Sequence, residues 1–139
     1  MKKPGQLRQA LTAAVPRLAG HPDTLHMFVD KGRVIATGGP ALSFEYAYTL
    51  NIVITDYPDD AATVTLPILI WLRTHQPDML LSRERRREGF TFEVDILNHD
   101  TVDLSIDLQL TEAVRVRTVD GRLVVEHVDE PGLDAIGAT

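Results

Sequence analysis

Residues 43–55, Ser-Phe-Glu-Tyr-Ala-Tyr-Thr-Leu-Asn-Ile-Val-Ile-Thr, decide the fold class. Phe44, Tyr46, Tyr48, Leu50, Ile52 and Ile54 alternate with Glu45, Ala47, Thr49, Asn51, Val53 and Thr55. A period of two sustained this long predicts a strand with one core face. The other face is mixed and open to a partner. Helical spacing of the apolar residues would have put them on a single stripe three and four apart, and they are not.

Outward from this strand the pattern changes twice. Upstream, Leu25 to Asp30 and Arg33 to Thr37 read as two short strands, with Lys31-Gly32 as a hairpin turn between them. Before them, Pro4 to Val15 reads as a helix. Leu7, Ala10, Leu11 and Ala14 share one face, Pro4 suits the first turn, and Pro16 stops the element. Downstream, Asp56, Asp59 and Asp60 precede a helix from Ala61 to His75, whose buried face carries Val64, Ile68, Trp71, Leu72 and His75. Pro67 should kink that helix or mark the first turn of a shorter one. Met79 to Leu81 fits one further turn. Ser82 to Glu88 is polar throughout and reads as a solvated loop closed by Gly89.

The remainder is β again. Phe90 to Ile96 and Val102 to Leu110 alternate around the turn residues Asn98-His99-Asp100. Ala113 to Val119 and Arg122 to Val128 flank Asp120-Gly121, a strong hairpin signal. Helices this few and this early do not alternate with strands. The expectation is an α+β domain with a mostly antiparallel sheet and two main helices packed on one face. One domain over residues 1–130 and a flexible C-terminal tail over 131–139 are expected.

Composition excludes several function classes. The 139 residues are 44% hydrophobic and 24% charged, the balance of a globular domain. The net charge of −6 argues against specific nucleic-acid binding, which needs cations to neutralise phosphates. Cysteine is absent, which removes disulfides, thiolate metal sites and thiol nucleophiles. No apolar run at the N-terminus predicts a signal peptide, and the longest one, Pro67 to Leu72, is too short to span a bilayer, so no membrane partner is expected.

No phosphate loop, GxGxxG, HExxH or GxSxG occurs, so no catalytic residue and no cofactor is expected. The cluster Asp95, Asn98, His99, Asp100 and Asp103 offers oxygen ligands, but its spacing matches no calcium loop, and turn chemistry explains it better. The five histidines are scattered without zinc spacing, so no metal site is expected. One basic cluster stands out. Arg83, Arg85, Arg86 and Arg87 put four guanidinium forks in five positions of an acidic chain. Such forks bind carboxylates in paired geometry, which makes them candidates for docking on an acidic protein surface; the acidic chain makes nucleic-acid phosphates the poorer fit.

The chain resembles the tail completion protein R family of temperate, contractile-tailed phages. Lys2-Lys3-Pro4 with Leu7, Ala10, Leu11, Thr12 and Ala13, then Phe28-Val29-Asp30 and Leu42 to Tyr46, carry the likeness. It continues through Tyr48 to Asn51, Thr55-Asp56, Pro67, Trp71-Leu72-Arg73, His75-Gln76-Pro77, Phe92-Glu93, Asp95 to Leu97 and Asp100 to Ser105. The resemblance implies a structural, non-enzymatic protein of the virion or of a phage-tail-like bacteriocin, made in the host cytoplasm. It implies a tail terminator-like homo-oligomeric ring, typically a hexamer, that closes the head-proximal end of the tail. Tail tube and sheath proteins, with head–tail connector proteins where a head is joined, would be its partners, and Arg83, Arg85, Arg86 and Arg87 the candidate contacts with a neighbouring subunit or the tail. A ring that passes DNA should carry an acidic or neutral lumen, for which Glu45, Asp103 and Asp107 on the polar strand faces are the candidates. The competing expectation is a small protein-binding adaptor or assembly chaperone.

Overall fold

A computed structural model describes residues 1–129. The expected tail at 131–139 lies outside the described residues. Helix α1 (Lys3–Ala14) and the single-turn α2 (Pro16–Gly20) precede strand β1 (Leu25–Ala36). Strand β2 (Phe44–Tyr57) is followed by α3 (Ala62–His75), α4 (Pro77–Leu81) and α5 (Arg83–Glu88). Strands β3 (Phe90–Ile96), β4 (Val102–Val119) and β5 (Arg122–Val128) complete the described residues. The sheet is antiparallel throughout, in the order β1-β2-β4-β3, with β5 also on β4. The α+β class with helices on one face is what the periodicity implied. No helix among the described residues is long and apolar enough to cross a membrane.

The core lies between the even-numbered residues of β2 and β4 and the stripes of α1 and α3. Leu50, Ile52, Ile54, Leu104, Ile106 and Leu108 meet Leu7, Leu11, Val64, Ile68, Trp71 and Leu72 in one buried cluster. Burying one such side chain is worth about 1.5–3 kcal/mol, so these two strands and two helices hold most of the hydrophobic stabilisation. Pro67 sits inside α3 rather than at its start. It is part-exposed, so the hydrogen bond it cannot donate is lost toward solvent rather than in the core.

Three expectations are corrected. Lys31-Gly32 is not a hairpin turn; β1 is one strand that pairs with β2 from Leu25↔Ile54 to Ala36↔Phe44. Between Asp30↔Thr49 and Arg33↔Ala47, β1 uses one residue more than β2, and Lys31 takes a left-handed φ of 51°. This bulge re-phases the strand, so Leu25, Met27 and Val29 before it and Val34 and Ala36 after it all lie on the helix side. The long alternating β2 offers a ladder that extends past the Lys-Gly step, and pairing with it outweighs the local turn preference. A similar bulge at Asp56 (φ 52°) turns Tyr57 back into the core at 1% exposure.

Second, Val102 to Leu110 and Ala113 to Val119 form one 18-residue strand. Glu112 interrupts the apolar alternation in sequence, yet it lies buried in the same row. Its carboxylate accepts the Tyr48 hydroxyl at 2.5 Å and the Lys2 backbone N–H at 2.7 Å. The second contact places a negative charge at the start of α1, where unpaired N–H groups favour it.

Third, Ser82 to Glu88 is helical rather than a loop. Ser82 Oγ caps α5 by accepting the Arg85 N–H at 3.3 Å. Gly89 ends the helix where nothing larger fits. A Cβ there would come within 2.6 Å of the Arg85 carbonyl oxygen and of Met79 Cγ.

Candidate assembly interface

The sheet is asymmetric about its centre. On β4, β2 occupies one side as far as Val114, whereas β3 pairs with Val102–Leu108 and β5 with Ala113–Val119 on the other side. A gap of one strand segment therefore opens between β3 and β5. The gap is closed by side chains and a loop. The Gln109 N–H donates to the Gly89 carbonyl at 2.9 Å and the Thr111 N–H to Gln76 Oε1 at 3.1 Å. The Thr111 carbonyl accepts Lys3 Nζ at 2.5 Å, and Lys3 also reaches Gln76 Oε1 at 2.6 Å. Gln76 is 2% exposed and Lys3 is buried beside it. Without them the interior ladder of β4 would hold unpaired backbone groups, at a cost of about 1–3 kcal/mol each.

This patch also roots the segment α4–α5. From it an open groove of about 870 Å³ runs across the polar sheet face to the β1 bulge. Lys31, Arg33 and Arg85 line it together with Glu45, Asp78 and Glu88. Its mixed charge suits a protein surface with both signs better than a polyanion.

The four arginines are not equivalent. Arg85 is tied to its own domain by an ion pair with Asp78 at 2.5 Å. Arg86 Nη1 reaches the Leu80 carbonyl at 3.4 Å. Arg83 and Arg87 are exposed and make no ion pair or side-chain hydrogen bond among the described residues.

Glu45, Asp103 and Asp107 all stand on the polar face of β2 and β4, as alternation required. Their local duties differ. Asp103 Oδ1 accepts the Asp56 N–H at 2.9 Å and so satisfies the donor that the β2 bulge would strand. Asp107 Oδ1 accepts the Asn51 amide at 2.8 Å. Glu45 is half-buried and lines the groove. Asp95 lies directly opposite Asp103, which adds to the acidity of this end of the face. Asn98 Oδ1 accepts the N–H groups of Asp100 and Thr101, the turn chemistry that its residue type favours.

The residues that sequence reasoning missed are apolar ones at the sheet rims. Phe92 (66% exposed) and Ile96 (79%) lie on the helix face of β3, beside buried Ile106 and half-buried Val102. Val94 and Leu97 are exposed beside them. On β1, Val34 is 67% exposed, and Phe28, Val29 and Ile35 are exposed as well. On β3 their alternation is that of core residues; on β1, Phe28 and Ile35 stand beside Asn51 and Glu45 on the polar face, so that edge carries apolar residues on both faces. Contiguous exposed apolar residues on edge strands are a signature of association.

Residues 1–131 match the family model described as P2 phage tail completion protein R (GpR). The chain is 47% identical over 131 residues to tail completion protein R of Escherichia phage P2, a match that covers 94% of this chain and 84% of that one. No solved structure matches it. Near-complete coverage at this identity spans the core, the groove and both rims together, so the chain belongs to the P2 phage tail completion protein R family and is a structural component of tail assembly.

Proposed function

We propose that this protein caps the head-proximal end of a contractile tail as a ring of identical subunits, six in number. It acts by contact rather than by catalysis. The observation that carries this reading is the 47% identity, over 94% of the chain, to a protein named for completing tails. The rims support it, because exposed apolar residues on β1, β3 and β5 suit a protein that is finished only by its neighbours. Tail tube and sheath proteins dock at α5, where Arg83 and Arg87, unpaired among the described residues, meet their carboxylates. In a particle with a head, connector proteins dock above.

The polar sheet face, with Glu45, Asp103 and Asp107, is the candidate lumen. Six copies carry about −36, six times −6. Such a field repels DNA phosphates and lets DNA pass without being gripped. Imaging of tails made without this protein tests the reading. Overlong or ragged tails, restored to uniform length by adding the protein, are the expected result. Tails of normal length and finish without it would sink the capping role.

A further inference from the structure

We propose that copies of this chain join head to tail through their sheet edges, the β1 edge of one copy against the β3 edge of the next. This deepens the ring reading above and rests on it. Three observations carry it.

The first is exposure. β1 ends one side of the sheet, and β3 ends the other side beside β5, so among the described residues β1 and β3 each present backbone N–H and C=O groups with no strand beyond them. Both also expose apolar side chains on the same, helix-bearing face: Val29 and Val34 on β1, Phe92, Val94 and Ile96 on β3. Placed side by side, the two rows continue the core row of β2 and β4 across the junction.

The second is charge. β3 carries Glu93 and Asp95 and no cation, whereas β1 carries Lys31 and Arg33 against Asp30. Glu93 and Asp95 lie on the polar face, as does Arg33. A β1–β3 junction brings opposite charges together. A two-fold β3–β3 junction would set Glu93 and Asp95 against their own copies, which is unfavourable for directly opposed strands.

The third is direction. Three antiparallel pairings separate β1 from β3, so they run opposite ways. A second copy, added without being flipped, therefore presents its β1 antiparallel to the β3 of the first. Helix face then meets helix face. Such a contact uses two different surfaces, so it closes into a ring when the rotation between copies allows it. The polar faces become one continuous surface, which carries Glu45, Asp103 and Asp107 of every copy.

The chain has no cysteine, which makes cross-linking clean. Double variants Val34→Cys/Val94→Cys and Val29→Cys/Val94→Cys are introduced into otherwise intact particles, oxidised and run on non-reducing gels. At least one should give a ladder of covalent multimers ending at the ring size, and no single variant should. In parallel, Glu93→Lys/Asp95→Lys and Lys31→Glu/Arg33→Glu should each lower incorporation about tenfold or more, and the combined variant should recover it. Unchanged melting temperatures show that each variant still folds. Particles of normal length that hold several copies yet give no ladder and no charge rescue overturn the edge junction and spare the ring. Dimers from Val94→Cys alone point to two-fold pairing, and links to a different tail protein point to another occupant; either overturns the junction. A single copy per tail overturns the ring and the junction together.

Discussion

Strands β2 and β3 alternate alike and end in opposite environments. In β2, Tyr48, Leu50, Ile52 and Ile54 are at most 3% exposed; in β3, Phe92, Val94 and Ile96 on the same face are 38–79% exposed. The difference is position. β2 has a strand on each side and helices above it, whereas β3 borders one strand and reaches past the helices. Periodicity shows which residues share a face, and the neighbours decide whether that face is dry. A rim strand written like a core strand is therefore waiting for a neighbour.

The comparison breaks most visibly under a charge. Leu50→Asp buries an unpaired carboxylate and should cost several kcal/mol, seen as loss of the cooperative melt. Phe92→Asp, on the same face, should change the free subunit's stability by under about 0.5 kcal/mol while impairing assembly. Equal destabilisation of the two would mean that β3 is covered within the subunit.

Gly89→Ala tests the joint between α5 and β3. A Cβ meeting a backbone carbonyl at 2.6 Å forces the segment to shift, at about 1–3 kcal/mol by denaturant titration. Gln76→Ala should cost about 1–3 kcal/mol, because the Thr111 N–H and Lys3 lose a common buried partner. A neutral Gln76→Ala would mean that water closes the β3–β5 gap equally well.

Arg83→Glu with Arg87→Glu should leave the melting temperature unchanged and reduce incorporation into tails. Full incorporation would leave these arginines as solvated charges. The smallest effect concerns Asp129. A hydrogen bond from Lys2, and then the charge of Lys2, hold its carboxyl below the usual 3.8. A depressed folded pKa means that the stabilisation is present above pH 3.8 and fades as pH falls below it. The group is exposed, so Asp129→Asn should be hard to distinguish from the parent at neutral pH, and any difference should vanish in acid.

Much of the fold was legible. The α+β class, the apolar stripe of β2, the buried face of α3 and the Asp120-Gly121 hairpin all follow from period and turn chemistry. Asp120 and Gly121 take φ values of 52° and 76°, which the residue types permit. The errors cluster where a local signal met a longer-range one. Lys31-Gly32 has the chemistry of a turn and Glu112 that of a strand end, yet each lies within a continuous strand. In both cases ladder pairing rewards continuity more than the local residue does, and at Glu112 the buried hydrogen bond from Tyr48 adds to it. Ser82 to Glu88 was misread because polarity alone does not separate a solvated helix from a loop.

The candidate site divides in the same way. Sequence by itself determined that Glu45, Asp103 and Asp107 share one face, because alternation along a strand leaves no choice. It also determined the acidic total and the density of arginines at 83–87. Only the tertiary structure decided that Asp103 caps a bulge, that Arg85 is spent on Asp78, and that Phe92, Val34 and Ile96 stand in solvent. Those outcomes depend on which elements lie beside each residue. Neighbours far apart in the chain are set by strand order and by the reach of two helices, and neither leaves a local mark in the sequence.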